Sequence, residues 1–105
     1  MRFEPGKGWA YSNIGYLKVG QLIEHASGVS LAEAIEQNVF APIGLATARL
    51  ATVPADLSDA QMGGTRGYHP GWVYHGLVIR TALDAARLLR ALQTGSLLRP
   101  ETFAA

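Results

Sequence analysis

The sequence predicts a mainly α chain of about three helices and a long loop, with little strand. Three observations predict it. Apolar residues recur at helical spacing in separate stretches, and two hydroxyl residues are each followed three positions later by an acid, as at helix starts. The 12 glycines among 105 residues lie mostly between the periodic stretches, where they mark turns. The length allows one small domain.

The first helix is predicted from Asn13 to Ala26. Polar and apolar residues alternate there at the spacing of an amphipathic helix. The apolar positions are Ile14, Leu17, Val19, Leu22, Ile23 and Ala26. Gly28 follows, and a glycine there suits the left-handed conformation that commonly ends a helix.

A second helix is predicted from about Leu31 to Val39. Ser30 and Glu33 have the spacing of a capping box, in which the hydroxyl accepts the Glu33 amide proton and the carboxylate reaches back. Pro42 and Gly44 then end the helix.

Residues 45–71 show no sustained period and predict a long loop, with one short helical turn near Leu57 to Gln61. The third helix is predicted from about Ala82 to Thr94. Thr81 is its predicted cap, with the acid Asp84 at the third helical position, and Gly95 ends it. Its polar residues are expected on one side, with Asp84 paired to neighbouring arginines. They are Arg80, Asp84, Arg87, Arg90 and Thr94.

Composition excludes several classes of function. Nine basic and eight acidic residues give a net charge of +1, which argues against nucleic-acid binding. No apolar run approaches the roughly 18 residues of a membrane span, and no signal peptide is apparent, so the compartment stays open. The histidines, at positions 25, 69 and 75, share no tight spacing. We therefore expect no metal site, and no cofactor is indicated.

A resemblance to a known family lies in the first 45 residues. From Pro5 to Tyr16 the chain reads Pro-Gly-x-x-Trp-x-Tyr-Ser-Asn-x-Gly-Tyr, and Val-Phe-Ala-Pro-Ile-Gly-Leu follows at 39–45. This resembles the serine β-lactamase-like hydrolases, which include class C β-lactamases, D-alanyl-D-alanine carboxypeptidases and β-lactamase-fold esterases. Looser matches continue to Glu101. The resemblance implies that residues 1–105 are a single partial domain, the central helical part of the α/β fold of that family, which is often periplasmic or secreted.

The resemblance also implies roles for two residues. Tyr11 and Asn13 match the Tyr-x-Asn triplet of the family, so Tyr11 is the expected catalytic residue and Asn13 the expected substrate-binding residue. A phenol near a lysine ammonium can be held as phenolate, take a proton from an attacking serine and return it to the leaving group, with the motif lysine as the alternative base. The carboxamide of Asn13 suits the carbonyl or acylamino group of a β-lactam, D-Ala-D-Ala peptide or small ester. The alternative is a purely structural role, in which the triplet only caps the start of a helix.

The family's nucleophile motif, Ser-x-x-Lys, is absent from the sequence. The five serines are followed three positions later by Gly15, Ser30, Glu33, Gln61 and Arg99. His69-Pro70-Gly71 matches the closing His-x-Gly motif by letters only, because it lies in a predicted loop and not on a strand. We expect the isolated chain to be inactive, and to self-associate through apolar helix faces and the Trp72 to Tyr74 segment. A non-catalytic helical binding module derived from the family remains the alternative.

Overall fold

The computed structural model describes residues 3–61 and 67–103, and most of its regular structure is helical, as predicted. Within these residues, four α-helices and two strands follow one another. They are α1 (Asn13–Ser27), α2 (Leu31–Ile35), β1 (Arg49–Ala51), β2 (Leu77–Ile79), α3 (Ala82–Gln93) and α4 (Pro100–Phe103). Short 3₁₀ turns lie at Ala41–Ile43, Pro54–Leu57 and Pro70–Trp72.

The first helix begins and ends at side-chain and backbone caps. The Ser12 hydroxyl accepts a hydrogen bond from the Gly15 amide at 3.1 Å, so one free amide of the first turn is satisfied. Gly28 closes the helix with φ of 73°, a left-handed conformation that costs glycine little. The predicted helix is confirmed to within one residue.

The capping box of α2 is confirmed. The Ser30 hydroxyl accepts from the Glu33 amide at 3.3 Å, and the Glu33 carboxylate accepts from the Ser30 hydroxyl at 2.7 Å and from its amide at 3.0 Å. These hydrogen bonds, led by that of the hydroxyl, lower the pKa of Glu33.

The second helix extends to Phe40, close to the predicted end at Val39, but it changes from an α-helix to a wider π-helix at Glu36–Phe40. Pro42 gives a physical reason: in a continued α-helix its ring would clash with the carbonyl of residue 38, four positions before it. Gly44 ends this region in a left-handed conformation, with φ of 66°.

The long predicted loop contains a strand that the sequence pattern did not reveal. β1 pairs antiparallel with β2, with Arg49 opposite Ile79 and Ala51 opposite Leu77. The helical turn predicted near Leu57 to Gln61 lies earlier, at Pro54–Leu57. The carboxylate of Asp56 accepts from the amides of the two residues before that turn, which lowers its pKa. Residues 62–66 of the predicted loop lie outside the described residues.

The hydrophobic core lies where α2, β1, β2 and α3 meet. Phe40, Leu45 and Ala48 are buried at its centre. Partly buried side chains pack around them, namely Ile35, Val39, Ile43, Val78 and Leu88. No residue of α1 is buried, so the helix that follows Tyr11 lies outside this core.

Two contacts with Leu31 join α1 to the start of α2. The amide of Leu31 donates to the carboxylate of Glu24 at 3.0 Å. At Gly20 the helices approach closely, because a Cβ there would lie 3.3 Å from Cδ2 of Leu31. Glycine at position 20 therefore lets α1 lie against the start of α2.

Asp84 was predicted to lie with the other polar residues on one side of α3, and this prediction is wrong because the residue is buried. Its carboxylate is buried, with 1% of the residue exposed, and it accepts from the Thr47 hydroxyl at 2.6 Å and the Thr47 amide at 2.9 Å. The predicted pairing with Arg87 is confirmed at 3.1 Å. Within the described residues Asp84 forms no ion pair with Arg80. Hydrogen bonds from Thr47, ahead of that from Arg87, lower the pKa of Asp84.

Across residues 3–61 and 67–103, we find no helix with the length and apolar character needed to cross a bilayer.

Candidate functional site

Tyr11 and Asn13, the two predicted site residues, lie beside each other at the start of α1. The Tyr11 hydroxyl donates a hydrogen bond to Oδ1 of Asn13 at 2.8 Å. Both side chains are exposed, and 57% of Tyr11 is open to solvent. The phenol and the carboxamide can therefore reach a common ligand.

Ser12, which lies between them in the sequence, has a structural role. Its hydroxyl caps α1 through the Gly15 amide, so it is engaged with the backbone of its own helix. The capping interpretation of the triplet is thus correct for Ser12. Capping holds the first turn of α1, and that turn carries Asn13 and presents Tyr11 on the same surface.

A row of aromatic rings extends from Tyr11 across α1 to a distant part of the chain. The ring of Tyr16 lies 5.5 Å from that of Tyr11, tilted by 52°. On its other side, His75 meets Tyr16 edge-on, with ring centroids 5.8 Å apart. These separations are typical of attractive aromatic pairs. The sequence pattern did not indicate this contact between Tyr16 and His75.

The surface around Tyr11 is open rather than enclosed. Trp9, which belongs to the same motif, is 81% exposed. A cleft of about 1350 Å³ lies elsewhere, lined by residues 46–49, 59–61 and 77–82 together with Leu57 and Tyr68. Tyr11 and Asn13 do not line it.

His69 has a structural explanation. Its Nδ1 accepts from the Gly71 amide at 3.0 Å and so starts the 3₁₀ turn Pro70–Trp72. The His-Pro-Gly sequence therefore lies in a turn and not on a strand. Among the described residues no three His, Asp or Glu side chains are grouped closely enough to hold a metal ion.

Apolar side chains are exposed on both long helices, as expected. Leu22 of α1 is 65% exposed and Leu89 of α3 is 57% exposed. The aromatic segment before β2 is open too, since Trp72 and Tyr74 are exposed. Apolar surface of this extent usually contacts another protein surface.

Comparison with known proteins gives a consistent family. A family model described as Beta-lactamase matches residues 1–105. Penicillin-binding protein 4* of Bacillus subtilis is 46% identical over 48 residues, which are 46% of this chain and 11% of that protein. Lovastatin esterase of Penicillium rubens is 30% identical over 125 residues, covering 95% of this chain and 30% of the esterase.

A solved structure shows the same fold. D-amino acid amidase from Ochrobactrum anthropi SV3, complexed with L-phenylalanine amide, superposes with a TM-score of 0.73 at 23% identity, over 96% of this chain and 36% of the amidase. The chain thus spans about a tenth to a third of the length of these proteins.

Proposed function

Because the chain belongs to the β-lactamase family, whose model matches residues 1–105, we propose that it is the central helical part of a serine hydrolase. In this proposal the chain supplies Tyr11 and Asn13 to the active site, and the complete enzyme works through an acyl-enzyme. The observation that carries the proposal is the exposed pair itself, with the Tyr11 hydroxyl 2.8 Å from Oδ1 of Asn13.

Tyr11 acts as the proton carrier of the reaction. A serine hydroxyl becomes a good nucleophile when a neighbouring group accepts its proton, and a phenolate can do so. The proton then passes from Tyr11 to the leaving group of the substrate as the acyl-enzyme forms. For this Tyr11 must first give its own proton to solvent, and its oxygen must then exchange the hydrogen bond with Oδ1 of Asn13 for one with the serine, for which its exposure leaves room.

Asn13 holds the substrate next to Tyr11. Its carboxamide offers two donors and one acceptor, which suit the amide or carbonyl group of an acyl substrate. The substrate class we propose is a β-lactam, a D-Ala-D-Ala peptide or a small ester. Similarity to a penicillin-binding protein and to an esterase supports this class.

The attacking serine comes from polypeptide outside these 105 residues. Support comes from the absence of Ser-x-x-Lys in the sequence and from the small share of each relative that the chain covers. The open surface beside Tyr11 agrees with a second wall that carries the nucleophile.

The nucleophile's location can be tested by mass spectrometry of the acylated protein. After brief exposure to a β-lactam or a p-nitrophenyl ester, we expect the complete enzyme to gain the mass of one acyl group. Peptide mapping should place that group on a serine outside residues 1–105, and the 105-residue chain alone should gain none. An acyl group on one of the chain's own serines, at 12, 27, 30, 58 or 96, would contradict the proposal.

We also expect the 105-residue chain to form at least a dimer at micromolar concentration, because its apolar helix faces are exposed. Light scattering measures the mass. Leu22→Lys should weaken association about tenfold, since it places a charge on apolar surface. Gln21→Lys adds the same charge at the neighbouring polar position and is the matched control. A monomeric mass over the whole range, or equal effects of both changes, would disprove the expectation.

A further inference from the structure

The ring of His75, which belongs to the segment before β2, packs against a residue of α1. His75 lies just before β2, far along the chain from the first helix, yet its imidazole meets the Tyr16 ring edge-on with centroids 5.8 Å apart. Tyr16 in turn packs against Tyr11, at 5.5 Å. A side chain next to the β-sheet is therefore in indirect contact with the proposed catalytic phenol.

His75 has a firm attachment that α1 lacks. The next residue, Gly76, packs against β1 so closely that a Cβ on it would lie 2.8 Å from Cδ1 of Leu50. Gly76 also adopts φ of 88°, a conformation that turns the chain into β2. The backbone at His75 is thus tied to the two-stranded sheet, whereas α1 has no buried residue.

We infer that His75 is a positioning residue, which acts through Tyr16 to hold the ring of Tyr11 in place for proton transfer. The inference rests on the proposed role of Tyr11. An aromatic ring supported from one side has fewer orientations, and proton transfer depends steeply on orientation. The imidazole acts by its ring surface and not as an acid or base, because its contact with the site is the edge-on packing against Tyr16.

The test compares His75→Ala with His75→Phe in the complete enzyme. Alanine should lower kcat about tenfold through loss of orientation, with KM changed less than kcat. Phenylalanine keeps a ring and should restore kcat to within about twofold. His25→Ala, on the distal end of α1, is the matched control and should leave kcat unchanged. If the kcat of His75→Phe is as low as that of His75→Ala, the proposed role of ring packing is overturned.

A spectroscopic measurement separates this inference from the proposed function. In the same enzyme labelled with ¹³C-tyrosine, His75→Ala should shift the Tyr11 and Tyr16 ring resonances, and His75→Phe should leave both rings ordered. Unchanged resonances in His75→Ala would overturn the inference whatever the activity. If instead Tyr11→Phe is fully active while the resonances move, the proposed function of Tyr11 fails and the ring contact stands.

Discussion

Tyr11→Phe should lower the rate of acylation by about 10²- to 10⁴-fold in the complete enzyme, because it removes only the hydroxyl that we propose carries the proton. The ring remains and can still pack against Tyr16. We expect KM to change little, since the proposed substrate contact of Asn13 is retained. Stopped-flow turnover of a chromogenic β-lactam and of a p-nitrophenyl ester measures the effect.

A matched substitution controls for the loss of a phenol as such. Tyr74→Phe removes a hydroxyl from another exposed tyrosine, which lies in the segment before β2. This variant should keep full turnover. Circular dichroism should show the same fold in both variants, because the Tyr11 hydroxyl is exposed and bonds only Asn13 among the described residues. Normal turnover by Tyr11→Phe would remove the assigned role.

Asp84→Ala should destabilise the 105-residue chain more than any surface change. The carboxylate is buried and accepts three hydrogen bonds, two from Thr47 and one from Arg87. Its loss leaves the Thr47 amide and hydroxyl without their acceptor and separates the segment before β1 from the start of α3. We expect Tm to fall by roughly 10 °C or more. Thermal unfolding followed by circular dichroism, at one fixed protein concentration, measures this.

Asp59→Asn is the control for Asp84→Ala. It breaks the ion pair with Arg49. Both side chains of this pair are exposed, Arg49 by 43% and Asp59 by 66%. Exposed pairs contribute little, so Tm should stay within about 2 °C. An equal fall in Tm for both variants would show that the buried position of Asp84 has no special importance.

The pH dependence gives a second check on Asp84. Its pKa is lowered in the folded chain, so its contribution to the free energy of unfolding is complete above the unfolded-state pKa of about 3.9. The contribution is lost as the pH falls through the lower, folded-state pKa. Asp84→Asn should remove this part of the acid dependence, while Glu33 and Asp56 keep theirs. A variant with the acid dependence of the original chain would contradict the assignment.

The helices were predictable because their signals are local. Ser30 and Glu33 lie within one turn, and so do Thr81 and Asp84, so spacing alone indicates both helix starts. The strands were not predictable in this way. Each has three residues, and Arg49 finds its partner Ile79 only after a long stretch of intervening chain. Three residues carry too little periodicity to indicate a strand, because its stability depends on the partner.

The candidate site also combines local contacts, which the sequence indicates, with a long-range contact, which it does not. Tyr11 and Asn13 belong to one motif, so a resemblance over a few residues was enough to single them out. The contact between Tyr16 and His75 joins two distant segments, and nothing near His75 in the sequence indicates it. Asp84 was assigned to the wrong environment for a similar reason. Its buried carboxylate is satisfied by a hydrogen bond from Thr47, which is distant in the sequence, so no local pattern indicates this partner.

The exposed position of α1 has a consequence for when activity can begin. A helix with no buried residue, attached to the start of α2 near Gly20 and Glu24 and to His75 through Tyr16, can dock after the hydrophobic core has formed. Until it docks, the phenol stands in bulk water, which competes for every proton it could transfer. If Tyr11 carries the proton as proposed, turnover requires this docking, and a polypeptide in which α1 is detached from the core is expected to be inactive.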